Sequence, residues 1–153
     1  MEELCETVMS KNIQTCRETD SVSRVAVIMR ESNVGLVPVT NAGYHVTGVA
    51  TDRDLTVRVL AHNKDGDTPI GSVMSKGAMV TVKPGDTLQT AEERMIKAGV
   101  GRALVTDPHG KLLGIISRSE IASNESEERT GHVLGALTRG SRAKAAKEKQ
   151  TAR

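Results

Sequence analysis

The sequence predicts a mixed α/β (α+β) fold of two β-α-β-β-α repeats packed with pseudo-twofold symmetry, and three observations lead there. First, the chain writes one segment twice: VMSK at 8–11 returns at 73–76, and with one inserted residue near Gly77 the alignment carries on through NVGLVPVT against GVGRALVT. Self-similarity at a fixed period marks a repeated structural unit. Second, the apolar period switches in the same order in both copies, from short extended pieces to helical spacing, then to two strand-like runs. Third, each copy ends on the same octet pattern, GVATDRDL at 48–55 and GIISRSEI at 114–121.

Each copy opens on a short extended piece, residues 13–16 and 79–82. DSVSRVAVIMRESN then sets Val22, Val25, Ala26 and Met29 at helical spacing with Asp20 as the expected cap, and DTLQTAEERMIKAG sets Leu88, Ala91 and Met95 likewise, Asp86 and Gln89 forming a capping box. The strand runs are Leu36 to Val39 and Val46 to Ala50, split by TNAGYH, and Ala103 to Val105 and Leu112 to Ile116, split by DPHGK, each joined as a hairpin. A second helix follows each octet, DRDLTVRVLAHN and SRSEIASN. One copy is too small to close a core alone, so the two are expected to share one. The expected boundaries are residues 1–71 for the first repeat with its N-terminal lead and linker, 72–124 for the second, 125–138 for a C-terminal helical segment, and 139–153 for a basic tail.

Composition narrows the function classes. The chain has 153 residues, 1% of them aromatic, with Tyr44 the one tyrosine and no Phe or Trp, so Val, Leu, Ile, Met and Ala must fill the core and no aromatic platform exists for stacking bases. No apolar run approaches the roughly 20 residues that span a bilayer, and MEELCETVM is unlike a signal peptide, so a cytoplasmic protein with no membrane partner is expected. Cys5 and Cys16 are too few for a disulfide framework and have no partner at zinc-ligand spacing. The net charge of +2 is unevenly spread: residues 139–153 hold six basic residues against Glu148, while the first 138 hold 15 basic and 18 acidic. That tail has almost no apolar content, so it is expected to be disordered or a frayed helix, a solubilising segment rather than a nucleic-acid contact.

His45, His62, His109 and His132 are scattered and form no catalytic pattern with Ser, Cys or acids, and GVGRALV lacks the lysine and hydroxyl of a phosphate-binding P-loop. Catalysis is not expected. Thr51 to Asp54 and Ser117 to Glu120 leave two readings open. Both pairs have the spacing of a capping box. The same helix end, with its free amides and dipole, is also an anion site, and a carboxylate beside it can accept hydrogen bonds from the vicinal hydroxyls of a ribose.

Taken together, VMSK, DSVSRVAVIMRESNVGLVPV and GVATDRDL, repeated as VMSK, GDTLQTAEERMIKAGVGRALV and GIISRSEI, resemble a tandem pair of cystathionine-β-synthase-type (CBS) domains, a Bateman module, across residues 8–121. The layout is similar to small stand-alone bacterial CBS-pair proteins. The resemblance implies a non-catalytic regulatory or sensor module that binds an adenosine-containing ligand of the AMP, ADP or ATP type in the cleft between repeats. No cofactor is required, and a homodimer is implied. Gly48, Thr51 and Asp54 would frame ribose and phosphate, Arg102 would reach the phosphates, and the slot for the base falls to Ile13, Thr15, Val34, Gly35 and Pro38. A weaker second site would use Thr81, Ser117 and Glu120, where the longer Glu displaces the accepting oxygens by a methylene. The alternative is a ligand-free dimeric scaffold or stress-associated CBS-pair protein.

Overall fold

The structure, a computed structural model, describes residues 2–77 and 79–151. In chain order it contains α1 (Cys5–Val8), α2 (Val22–Ser32), β1 (Leu36–Thr40) and β2 (Val46–Thr51). Next comes α3, a composite of an α turn at Asp52–Asp54, a π stretch at Leu55–Val59 and a 3-10 turn at Leu60–His62. A 3-10 turn at Ile70–Ser72 precedes β3 (Thr81–Val82), α4 (Leu88–Ala98), β4 (Arg102–Thr106), β5 (Leu112–Ser117), α5 (Arg118–Asn124) and α6 (Glu127–Thr151). The order is that of two related repeats, as the duplication predicts.

The compact units do not divide at residue 71. One unit contains residues 12–79 with 109–112; the other contains 1–11, 80–108 and 113–153. The reason lies in the backbone hydrogen bonds of the two VMSK segments. Ser10 bridges Ile115 of β5, with N–H to O distances of 2.9 and 3.0 Å. Ser75 bridges Val49 of β2, at 2.8 and 2.9 Å. Each copy of the motif therefore completes the sheet of the other copy's sequence. The lead continues this pairing, Leu88 N–H donating to Glu3 O and Cys5 N–H to Asp86 O, both at 2.8 Å.

The apolar side chains gather in two clusters, one per unit, where a single shared core was expected. Val25, Val37, Val39, Ala50, Ile70 and Val73 are at the centre of the first. Leu88, Met95, Val105, Ile116, Ile121 and Leu137 are at the centre of the second, with α6 supplying Val133 and Leu137. The exchanged segments give each half-sized repeat the extra apolar surface it lacks.

In the first unit β1 and β2 form an antiparallel hairpin with Leu36 opposite Thr51 and Pro38 opposite Val49. Its turn is held by Asn41 Oδ1, which accepts from the amides of Gly43 and His45, and Tyr44 takes a left-handed φ of 65°. The expected piece at 13–16 is reduced to Cys16, whose backbone bridges β1 in parallel. In the other unit β3, β4 and β5 form a three-stranded sheet with β3 parallel to β4.

Two caps fall one residue later than expected. Ser21 caps α2 and Thr87 caps α4. Asp20 and Asp86 instead accept from the amides of Arg17 and Lys83, closing the turn before each helix, so the acid is used three residues back and the hydroxyl is left to cap. Residues 139–151, where disorder or fraying was expected, continue α6 to Thr151; Arg153 lies outside the described residues. The anchor is local: Val133 and Leu137 are fully buried, and the Ser141 hydroxyl donates to Gly99 O at 3.3 Å.

Candidate functional site

The octet of the first repeat lies at the joint between β2 and α3. Thr51 ends the strand in an extended conformation and caps the helix, its hydroxyl accepting from Asp54 N–H at 3.1 Å. Asp54 returns the bond: its Oδ2 accepts from Thr51 N–H at 2.9 Å. The capping box that the spacing allows is therefore formed. The other first-turn amides are also taken, Asp52 N–H by Gly35 O at 3.0 Å and Arg53 N–H by Asp52 Oδ1 at 2.9 Å.

Asp54 is turned inward, with 5% of its surface exposed. An ionised carboxylate so placed needs donors. Beside Thr51, they come from residues that sequence reasoning did not single out. The Ser75 hydroxyl donates to Oδ1 at 3.0 Å. The Arg58 Nε stands 3.7 Å from the same oxygen, and its Nη1 donates to the carbonyls of Val73 and Met74, both at 3.2 Å. Arg58 lies inside the π stretch, at whose end Leu60 N–H bonds both Leu55 O, five residues back, and Thr56 O, four back. The repeated VMSK was the available signal for Ser75, but the residue lies 21 positions from Asp54 and only the fold joins them.

Of the residues expected in the site, Gly35, Gly48, Thr51 and Asp54 are brought to this joint. A Cβ on Gly35 would come within 2.9 Å of the Asp52 carboxylate, and one on Gly48 within 2.8 Å of Met74 Sδ and 3.0 Å of Ser75 O. Gly48 is thus required by close approach to a backbone carbonyl, whereas at Gly35 the neighbour is the end of an exposed side chain that can turn away. Pro38 is buried in β1, its carbonyl accepting from Cys16 N–H at 3.0 Å, which sets half-buried Thr15 beside the strand. Val34 is 41% exposed just before β1, and Ile13 is half-buried. Arg102 opens β4 in the other unit.

The second repeat repeats the box with different wiring. Glu120 Oε2 accepts from Ser117 N–H at 2.8 Å and from the Ser117 hydroxyl at 2.5 Å. The longer acid thus ties up the capping hydroxyl itself. Thr81 is exposed in β3 and its carbonyl accepts from Arg94 at 3.0 Å.

Among the described residues no group of three or more His, Cys, Asp or Glu could hold a metal ion, and no helix is long and apolar enough to cross a membrane. Burial pushes the Cys5 and Cys16 thiols up to about 11, with Asp86 and Asp20 adding to the rise, which leaves neither as a nucleophile.

Known proteins match this arrangement. The CBS domain family model matches residues 5–61 and again 70–127. The chain is 32% identical over 127 residues to the CBS domain-containing protein YhcV of Bacillus subtilis (strain 168), covering 82% of this chain and 89% of that one. Its fold is similar to that of a conserved CBS domain protein of Thermoplasma acidophilum, TA0289, with a TM-score of 0.76 at 23% identity over 89% of this chain and 76% of the other. It is also similar to CBSX2, solved in complex with AMP, with a TM-score of 0.68 at 22% identity over 79% and 94% of the two chains. Two matched segments, one on each copy of the duplicated sequence, span most of its length, and the chain belongs to the CBS domain family as a tandem CBS pair.

Proposed function

We propose that the chain is a non-catalytic regulatory module that takes an adenosine-containing ligand of the AMP, ADP or ATP type at the β2–α3 joint of its first repeat. The observation that carries this reading is the Asp54 carboxylate: it is buried, and the one hydrogen bond to its Oδ1 comes from a side-chain hydroxyl of a remote segment, with Arg58 Nε 3.7 Å away. A ribose offers the same kind of donor twice. Thr51 frames the phosphate on this reading, while Gly35 and Gly48 allow the close approaches around it. The AMP held by CBSX2, a protein of the same fold, supports the ligand class. In the second repeat the Ser117 hydroxyl and Glu120 satisfy each other, which supports one competent site and one degenerate one. A homodimer remains part of the reading, with sedimentation velocity as its check.

A ligand can shift a conformational equilibrium only by its difference in affinity between the states, so the regulatory output must pass through contacts that change on binding. The second reading, a scaffold that takes no ligand, is favoured by one observation: the first three amides of α3 and both Asp54 oxygens already have partners within the chain. Thermal shift with AMP, ADP, ATP and adenosine separates the two. The module reading expects a rise in Tm with at least one nucleotide and its loss in Asp54→Ala. No rise with any of the four supports the scaffold.

A further inference from the structure

The Ser75 hydroxyl does to Asp54 what a ligand hydroxyl would do. It donates to Oδ1 at 3.0 Å, on the carboxylate oxygen that Thr51 N–H does not use. Its own backbone is fixed independently, by the paired bonds to Val49 at 2.8 and 2.9 Å. Turning the Ser75 side chain away therefore frees Oδ1 without breaking the strand bridge. Arg58 does not take over this role: its Nη1 is committed to two carbonyls of the same VMSK segment, and its Nε stays 3.7 Å from Oδ1. The second repeat has another arrangement, in which the accepting oxygen of Glu120 is bonded by the capping Ser117 of its own octet.

We infer that Ser75 is an internal competitor for the ligand: its hydroxyl occupies the ribose-accepting oxygen of Asp54 in the empty protein and sets the threshold concentration at which a nucleotide binds. This rests on the proposed adenosine site. Binding exchanges one O–H···O⁻ bond for another, so the ribose contributes only the difference between them. Removing the competitor leaves Oδ1 short of a donor in a buried position, and the incoming hydroxyl then supplies a missing bond. Hydrogen bonds to charged groups are among the stronger ones, so Ser75→Ala is expected to tighten AMP binding by about tenfold.

Calorimetry with AMP and 2′,3′-dideoxy-AMP on wild type, Ser75→Ala and Ser75→Thr tests this. The expected result is a gain of about tenfold for AMP in Ser75→Ala, no gain in Ser75→Thr, which keeps the hydroxyl, and no gain for the dideoxy analogue, which cannot replace it. Unchanged or weakened AMP binding in Ser75→Ala overturns the competition, as does an equal gain for both nucleotides, which would mean a general loosening of the joint. Absence of AMP binding in all three proteins sinks the adenosine site itself and this inference with it. Wild-type binding without a gain removes the competition alone.

Discussion

Replacing Arg129 with alanine should produce a stability loss that depends on pH in a defined direction. Arg129, in the first turn of α6, aims Nε and Nη2 at one oxygen of Glu92 in α4, at 3.1 and 2.7 Å. Glu92 is fully buried, and among the described residues its second oxygen has no hydrogen-bond partner. Burial pushes the Glu92 carboxyl up from its ordinary range against the pull of Arg129, and Glu125 and Glu93 push it further. Without the guanidinium, a buried carboxylate faces two acids alone. Breaking one side of a buried pair costs about 3–5 kcal/mol, and because a third of the Arg129 side chain is in solvent the expected loss is at the low end, about 3 kcal/mol. For a chain of this size that corresponds to about 6–12 °C in Tm. The folded pKa of Glu92 lies above its ordinary value of 4.5, so between the two values the folded state binds more protons than the unfolded one. Stability from this group therefore falls as pH rises through the folded pKa. Arg129→Ala raises that pKa again, so its deficit should be greatest near pH 8 and shrink toward pH 5. Urea titrations followed by far-UV circular dichroism at three pH values measure it. A deficit equal at pH 5 and pH 8 refutes the reasoning, and so does one below about 1 kcal/mol throughout.

Other perturbations test other parts of the structure. Leu137→Ala should cost about 2–5 kcal/mol, because the side chain is fully buried in the second cluster, whereas removing residues 143–153 should stay within about 0.5 kcal/mol in the same urea titration. Gly48→Ala should cost about 1–3 kcal/mol by driving a methyl against the Ser75 carbonyl; Gly114→Ala should cost at least as much, since its methyl would come within 2.6 and 2.8 Å of Met9 Cγ and Cβ, which a rotamer change cannot clear, and paired thermal melts report the difference. Cys5 and Cys16, buried with thiols pushed up to about 11, should leave Ellman's reagent unreacted at pH 8 in the native protein and both react in denaturant; fast native labelling of either would place that thiol at the surface.

The duplication made the repeat order legible, since the change of apolar period recurs in both copies and local patterning decides element type. The two joints were legible as far as their capping spacing. What the sequence could not show depends on contacts between distant segments. Ser75 reads as one residue of the repeated VMSK, and nothing local shows that its hydroxyl meets Asp54, 21 positions away. The exchange of the two VMSK segments is likewise a matter of strand pairing over long separations, invisible to a pattern read along the chain. The caps of α2 and α4 were displaced by one residue because Asp–Ser and Asp–Thr each offer two capping oxygens, and the choice depends on the turn before the helix. The tail read as disordered or a frayed helix because its composition buries nothing; residues 139–151 are helical as the continuation of a segment anchored by Val133 and Leu137. The π stretch in α3 has no glycine or proline to announce it, and the tie from Arg58 to the Val73 and Met74 carbonyls is its visible accompaniment.

Titrating AMP into the protein by calorimetry, and repeating it with Asp54→Asn and Glu120→Gln, addresses the central claim most directly. The account predicts one AMP per chain, lost in Asp54→Asn and retained in Glu120→Gln. Binding that persists undiminished in Asp54→Asn, or is lost only in Glu120→Gln, would contradict it.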